Sequence, residues 1–530
     1  MLTVLKKNNF NNQNKLCVMQ FNKKYFIVII LLLISNFLTA QLHTVKIVNG
    51  LIAGSKYDNI NIFKGIPFAA PPVGALRWKA PQPAANWKGV RQCTTFSASP
   101  FQPDPQPFLC WSEEFIAPPK PLSEDCLYLN IWTGAKNKNE KRPVFVWIYG
   151  GGFNSGSAAC AIYDGEEMAK KGIVFVSINY RVGAFGFMAH PDLSKEQNNA
   201  SGNYGLLDQI AALQWIKKNI AAFGGNPEQV TIAGQSAGSM SVNALLASPL
   251  AKGLFNGAVL QSGGLLGNMI PASLKDAETI GIELQKKTGT VSIDELRNKP
   301  AEEILKASKS PGIGRIGLTL DGYVLPKDFF NYFKEGKHNN VNLMMGWVTG
   351  DATLFGKPSI TAEKFIQQVK EKYGDKTDEF LKIFSANTDE EAEQSQAKLT
   401  LLNFASFPAH LLAGYNNKPA FLYQSSYVPT DKPGFPNYGA FHTSEVPYAL
   451  HTLHLWKRPW QKNDYDVQEL MSSYWIQFIK AGNPNGKGLP KWNAYNKAEG
   501  AILEIDTTTI LNPGLFKKEF DLLEKLEINR

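Results

Sequence analysis

Nearly unbroken apolar stretches alternate along this chain with stretches whose apolar residues recur at helical spacing. The first kind comprises 143–149 (PVFVWIY), 172–179 (GIVFVSIN), 229–233 (QVTIA), 257–261 (GAVLQ), 342–347 (NLMMGW) and 419–424 (PAFLYQ). Each has strand length and lacks the in–out alternation of a sheet with one wet face. Strands of that kind are buried on both faces, as in a parallel sheet covered by helices. The second kind is exemplified by 204–223, where Leu207, Ile210, Ala211, Trp215 and Ile216 mark a helix that Gly224-Gly225 stops. The alternation predicts an α/β fold, with one large, mostly parallel sheet flanked by helices on both faces. No internal repeat and no Gly-, Ser- or Pro-rich linker divides it. The acidic stretch 388–394 predicts a solvated helix. The segment 100–121 is long, Pro-rich and aromatic, and a loop of that length in a compact domain usually has a function.

The N-terminus breaks the pattern. Lys23 and Lys24 precede ten apolar residues, Tyr25 to Ile34, and a small residue, Ala40, follows shortly after. A basic stub, an apolar run and a small residue predict a secretory signal over 1–40, with Met19 as an alternative start. A spanning helix needs about 18 apolar residues, so no stable membrane insertion is expected after cleavage. The remaining domain, 41–530, would be secreted or periplasmic.

That reading changes what the charge means. The whole chain carries 55 basic and 46 acidic residues, a formal +9. Residues 1–40 hold five lysines and no acidic residue, which leaves 50 basic against 46 acidic residues, a net +4. No block of like charge remains, so a nucleic-acid partner is not expected. Cys17 leaves with the signal, and Cys93, Cys110, Cys126 and Cys160 remain.

Gly234-Gln235-Ser236-Ala237-Gly238 is a G-x-S-x-G sequence. The pentapeptide alone is a weak signal. Its setting is stronger, because it follows an apolar strand and precedes the helix-compatible stretch 237–247, the strand–turn–helix context of a nucleophile elbow. Tyr149-Gly150-Gly151-Gly152-Phe153 follows another strand. Three consecutive Gly leave backbone N–H groups open to a substrate oxygen. Gly151 and Gly152, with Ala237, are the expected oxyanion donors, each worth ~2.7–4 kcal/mol in a transition state. Neither G-x-G-x-x-G nor G-x-x-x-x-G-K-[ST] occurs here, so a phosphate loop is disfavoured.

Such an elbow requires an acid and then a His downstream. Among the seven His, His442 lies in a small-residue loop after the strand 419–424. His451 and His454 read as one face of a helix. Asp351 follows the strand 342–347, although an Asp after a strand is also a common helix cap. No H-E-x-x-H occurs, and the Cys spacing does not suit zinc. Neither a metal nor a cofactor is expected.

Taken together, these residues resemble the type-B carboxylesterase family, which includes the cholinesterases, on an α/β-hydrolase fold. Further blocks carry the resemblance: Gly65-Ile66-Pro67-Phe68-Ala69-Ala70-Pro71-Pro72-Val73-Gly74, Ser123-Glu124-Asp125-Cys126-Leu127-Tyr128-Leu129-Asn130, Asn179-Tyr180-Arg181 and Gly202-Asn203-Tyr204-Gly205. The resemblance implies Ser236 as nucleophile, His442 as general base and acid, and Asp351 as the acid that orients it. Most of the family carries Glu at that last position, and Glu445 is the fallback. It also implies a Cys93–Cys126 disulfide, worth roughly 3–4 kcal/mol in the chain-entropy model, and an Arg77–Glu124 ion pair. Cys110 and Cys160 have no counterpart, and pairing or two buried thiols both fit. Ile116 and Gln235 stand where cholinesterases hold their choline-binding Trp and Glu, so choline esters are not expected. The expected partner is a small alkyl or aryl ester. A feruloyl or acetyl-sugar esterase is the alternative within enzymes, and a silent adhesion module the alternative outside them.

Overall fold

The apolar stretches form the centre of a 13-stranded sheet. The computed structural model describes residues 43–267 and 269–528, so the expected signal over 1–40 lies outside the described residues. The described residues cluster as one unit. The strands are β1 His43–Ile47, β2 Gly50–Tyr57, β3 Ile60–Pro67, β4 Val90–Gln92, β5 Tyr128–Thr133, β6 Arg142–Ile148, β7 Val174–Ile178, β8 Gly225–Gln235, β9 Gly257–Gln261, β10 Asn342–Val348, β11 Ala420–Ser425, β12 Ile502–Ile505 and β13 Ile510–Asn512. Their spatial order is β1-β2-β3-β5-β7-β6-β8-β9-β10-β11-β12-β13, with β4 beside β2. From β7 to β12 every neighbouring pair is parallel. Antiparallel pairs lie at the two margins.

Burial explains the sequence pattern. Every residue of β7, β9 and β11 is buried, as are the last five of β6. Fully burying one large aliphatic side chain contributes about 1.5–3 kcal/mol, so strands enclosed on both faces select apolar residues at every position. The helix read over 204–223 is an α-helix from Tyr204 to Asn219 followed by a 3₁₀ turn, Ile220–Phe223. Gly224, at φ 77°, ends it in the left-handed conformation. The acidic stretch opens the helix Asp389–Leu401. The helix expected at His451 and His454 does not form: Val446–Ala449 ends first, His451 sits in a turn at φ 61°, and His454 lies in a separate 3₁₀ turn.

Two ion pairs, one partly and one fully buried, tie loops together and to helices. The implied Arg77–Glu124 pair is present, with Arg77 Nε donating to Glu124 Oε2 at 2.7 Å. Arg77 also donates to the carbonyls of Arg297 and Lys299. Arg181, just after β7, donates from Nε and Nη2 to Asp208 at 2.8 and 2.7 Å. Asp208 has no exposed side-chain surface. Removing one partner strands the other charge away from water, at about 3–5 kcal/mol. Asp208→Ala is expected to lose stability of that order in chemical denaturation, and a loss below about 1 kcal/mol would contradict the argument.

The implied Cys93–Cys126 disulfide is not formed, and all four described cysteines are free thiols, Cys110 and Cys160 included. Cys93 and Cys126 are sealed in the core at 1% and 0% exposure. Burial pushes both thiols up, Cys93 to about 11, and they pack as small apolar side chains.

Candidate active site

The parallel strands deliver the chemistry at their carboxyl ends, where open α/β sheets bind ligands. Gly150–Gly152 follow β6, Ser236 follows β8, and Asp351 follows β10. His442 comes from the loop after β11.

Ser236 has φ 59° and ψ −125°, and the helix Ala237–Ala247 starts at the next residue. A non-Gly residue at such angles is strained and is kept by its surroundings. Close packing does the keeping. A Cβ on Gly238 would lie 2.1 Å from the carbonyl oxygen of Ile148 in β6. A Cβ on Gly150 would lie 2.6 Å from the carbonyl oxygen of Gln235 and 3.0 Å from Cβ of Ser236. The glycine loop and the Ser turn therefore touch, with no room for a side chain between them. The N–H groups of Gly151, Gly152 and Ala237 donate to no group among the described residues. Ala237 is the first helical residue, whose N–H has no intrahelical acceptor.

Asp351 is fully buried in a 3₁₀ turn, Thr349–Thr353. Its Oδ1 lies 2.6 Å from His442 Nδ1, and its Oδ2 accepts from the Val348 N–H at 3.3 Å. Of the two carboxyls weighed from the sequence, Asp351 is the one in contact with His442. Glu445 makes no hydrogen bond to His442; its Oε1 accepts from Gln261 Nε2 at 3.3 Å, and its Oε2 has no partner among the described residues. Burial, aided by the nearby Asp351 carboxylate, pushes the Glu445 carboxyl up to about 8.

Such an acid binds its proton more tightly in the folded chain than in the unfolded one. Its contribution to stability is complete below about pH 4.5 and is lost as pH climbs towards about 8. Glu445→Gln is therefore expected to lose less melting temperature than wild type between about pH 5 and about pH 9. Parallel declines in the two proteins would refute this.

The imidazole of His442 faces Trp111 and Phe404 edge to face, with centroids 6.3 and 5.5 Å away. Ser236, Ala237, His442 and Gly150–Gly152 all line one cavity of about 700 Å³. Its walls are mainly apolar. Phe108, Trp111, Phe115 and Ile116 come from the Pro-rich segment, and Phe153, Met240, Met269, Phe355 and Phe404 come from elsewhere in the chain. Cys160 also lines it, and burial pushes that thiol up to about 12, so it stays protonated near neutral pH. Among the described residues, no three His, Cys, Asp or Glu side chains are grouped to hold a metal ion, and no helix is long and apolar enough to cross a membrane.

Several of these contacts have no signature in the sequence. Phe404 sits on a π-helical turn, Leu402–Ser406, between two α-helices, a local irregularity frequent at functional sites. Gln235 Nε2 lies 3.0 Å from His442 Nε2 and 3.3 Å from Nδ1. No hydrogen bond joins Ser236 Oγ to His442.

A mostly parallel sheet with a strained Ser between strand and helix, a Gly loop beside it and a His–Asp pair across from it defines an α/β-hydrolase. The sequence matches the Carboxylesterase family over residues 41–523. The chain belongs to that family and is a carboxylic ester hydrolase. It is 34% identical over 492 residues to the fumonisin B1 esterase of Sphingopyxis macrogoltabida, covering 88% of this chain and 87% of that protein. It is 32% identical over 490 residues to the para-nitrobenzyl esterase of Bacillus subtilis (strain 168), covering 89% and 96%. Among solved structures, a PNB esterase superposes with a TM-score of 0.78 at 29% identity, covering 91% of this chain and 99% of that one. A carboxylesterase of Geobacillus stearothermophilus superposes equally well at 31% identity, covering 90% and 98%.

Proposed function

We propose that this chain is an exported serine esterase that hydrolyses small alkyl or aryl carboxylic esters through an acyl-enzyme, with Ser236 as nucleophile, His442 as proton carrier and Asp351 as its orienting acid. The observation that carries the reading is the 2.6 Å Asp351–His442 contact beside a strained Ser236 in one apolar cavity. In this reading the Ser236 hydroxyl attacks the ester carbonyl while His442 Nε2 takes its proton. The tetrahedral oxyanion forms against the N–H groups of Gly151, Gly152 and Ala237. His442 then protonates the leaving alcohol. Water, deprotonated by the same nitrogen, releases the acid and restores Ser236. The Ser236–His442 hydrogen bond must form on the way, as such bonds often tighten only in the substrate complex.

The aromatic walls suit an aryl or alkyl group. The curated relatives named above are called esterases of fumonisin B1 and of para-nitrobenzyl esters, a spread that fits a common acyl-transfer core. Export is proposed from the Lys23–Ala40 pattern alone, and N-terminal mass analysis of protein from culture medium or periplasm tests it. The catalytic reading is tested with p-nitrophenyl esters of increasing acyl length. Turnover favouring short acyl chains is expected, and failure to turn over any ester would refute the reading.

A further inference from the structure

Gln235 precedes the nucleophile, is 2% exposed, and has no part in the acyl-transfer steps above. Its amide nitrogen lies 3.0 and 3.3 Å from the two ring nitrogens of His442. The lone-pair directions of those nitrogens diverge, so one atom cannot align with both. The amide thus rests against the ring beside both nitrogens, slightly nearer to Nε2. On its other side, the Thr443 hydroxyl donates to Gln235 Oε1 at 3.3 Å. Trp111 Nε1, which can only donate, in turn donates to Thr443 Oγ1 at 3.1 Å. A polar chain therefore runs from Trp111 on the cavity wall, through Thr443 and Gln235, to the imidazole and Asp351.

Thr443 supplies a separate observation. Its φ is 87°, and a β-branched residue in that region is an outlier that only its surroundings can maintain. The strain falls on the residue whose hydroxyl joins Trp111 to Gln235.

We propose that Gln235 is a positioning residue for His442, holding the ring laterally while Asp351 holds Nδ1, and tying its orientation to the Trp111 wall on which substrate packs. The inference rests on the reading of His442 as proton carrier. The ionisable groups around the ring are Asp351 in the turn after β10, Glu445 three residues on and bonded to Gln261, Cys160 and Tyr163 across the cavity, and Asp104 and Arg315 elsewhere in its lining. Only the Asp351 carboxyl touches the imidazole. A carboxylate at 235 would add a second negative charge against it.

The test compares pH profiles of kcat/KM on p-nitrophenyl butyrate for wild type, Gln235→Glu, Gln235→Leu and Thr443→Val, with active sites titrated by a fluorophosphonate. An opposite charge at contact distance moves a titration by about one to three units, so the acid limb of Gln235→Glu is expected that much higher in pH, whatever its plateau. Gln235→Leu and Thr443→Val are each expected to lower kcat by about tenfold, the scale of one lost hydrogen bond, with KM little changed. The double variant should be no worse than Gln235→Leu, because both break one chain. A Gln235→Glu profile that overlays wild type, or additive losses in the double variant, would overturn the proposal. If a variant fails to fold, Trp111→Phe removes the donor at the far end and keeps the ring; an unchanged kcat there would also overturn it. An inactive wild type would instead overturn the underlying reading of the site.

Discussion

Ser236→Ala is expected to lower kcat on a p-nitrophenyl ester by roughly 10⁴- to 10⁶-fold while leaving the melting temperature in place. The size follows from what Ser236 does in the proposed mechanism. It supplies the bond-forming atom, so its loss removes nucleophilic catalysis altogether. Residual turnover would come from water held among the N–H groups of Gly151, Gly152 and Ala237, which survive the change. The fold should tolerate Ala because the strained backbone is imposed by packing against β6 and the glycine loop, and Ser236 Oγ bonds to no group among the described residues. Two measurements check this: pre-steady-state bursts, which should vanish, and the mass of protein quenched during turnover, which should show an acyl adduct on wild type alone. Rates within tenfold of each other would remove Ser236 from the mechanism.

Asp351→Asn is expected to cost about 10⁴-fold in kcat. In the proposed mechanism Asp351 accepts a hydrogen bond from His442 Nδ1–H, which leaves the Nε2 lone pair for the Ser236 proton. An Asn can turn its NH₂ towards Nδ1, which favours the opposite tautomer and puts the proton on the wrong nitrogen. The buried turn Thr349–Thr353 should persist, since the Asn oxygen can still accept from Val348 N–H, as Asp351 Oδ2 does. Intact folding with deep loss of turnover is therefore the expected pair of results. Glu445→Gln serves as the contrast. It should change the pH dependence of stability and leave most turnover intact, because Glu445 bonds to Gln261 rather than to His442. If Glu445→Gln lost the activity and Asp351→Asn kept it, the two acids would exchange roles.

The parallel centre of the fold was legible because burial on both faces leaves an apolar run that a short window detects. The stretch 257–261 and β9 coincide, and 342–347 differs from β10 by one residue. The margins were not legible. β2 reads GLIAGSKY, with only its middle three residues buried and two Gly within it, and it takes its partners from β1, β3 and β4 rather than from its own pattern. In the candidate site, Ser236, Asp351, His442 and the Gly loop could be picked out because each follows a strand in the order the proposed chemistry requires. Phe404 and the role of Thr443 could not, since one depends on a π-turn and the other on a backbone angle. Gln235 registered only as a Glu that was missing. The Cys93–Cys126 pair came from resemblance alone, and the core holds both as thiols.

The absence of any gap between Gly150 and the Ser236 turn has a bearing on how such an enzyme can diversify. The proposed nucleophile and oxyanion donors are spaced by backbone contact on adjacent strands, so drift in side chains elsewhere cannot pull them apart. Apart from Met240 on the helix after Ser236 and Phe153 beside the glycine loop, the apolar walls come from the Pro-rich segment, the π-turn and other loops, each attached to the sheet at its own place. Selection can therefore trade one wall for another and change the ester accepted, with the bond-breaking geometry carried along intact. Libraries built at Phe108, Phe115, Met269 and Phe355 should shift substrate preference at nearly constant burst amplitude, whereas any side chain introduced at Gly150 should end catalysis for every ester alike.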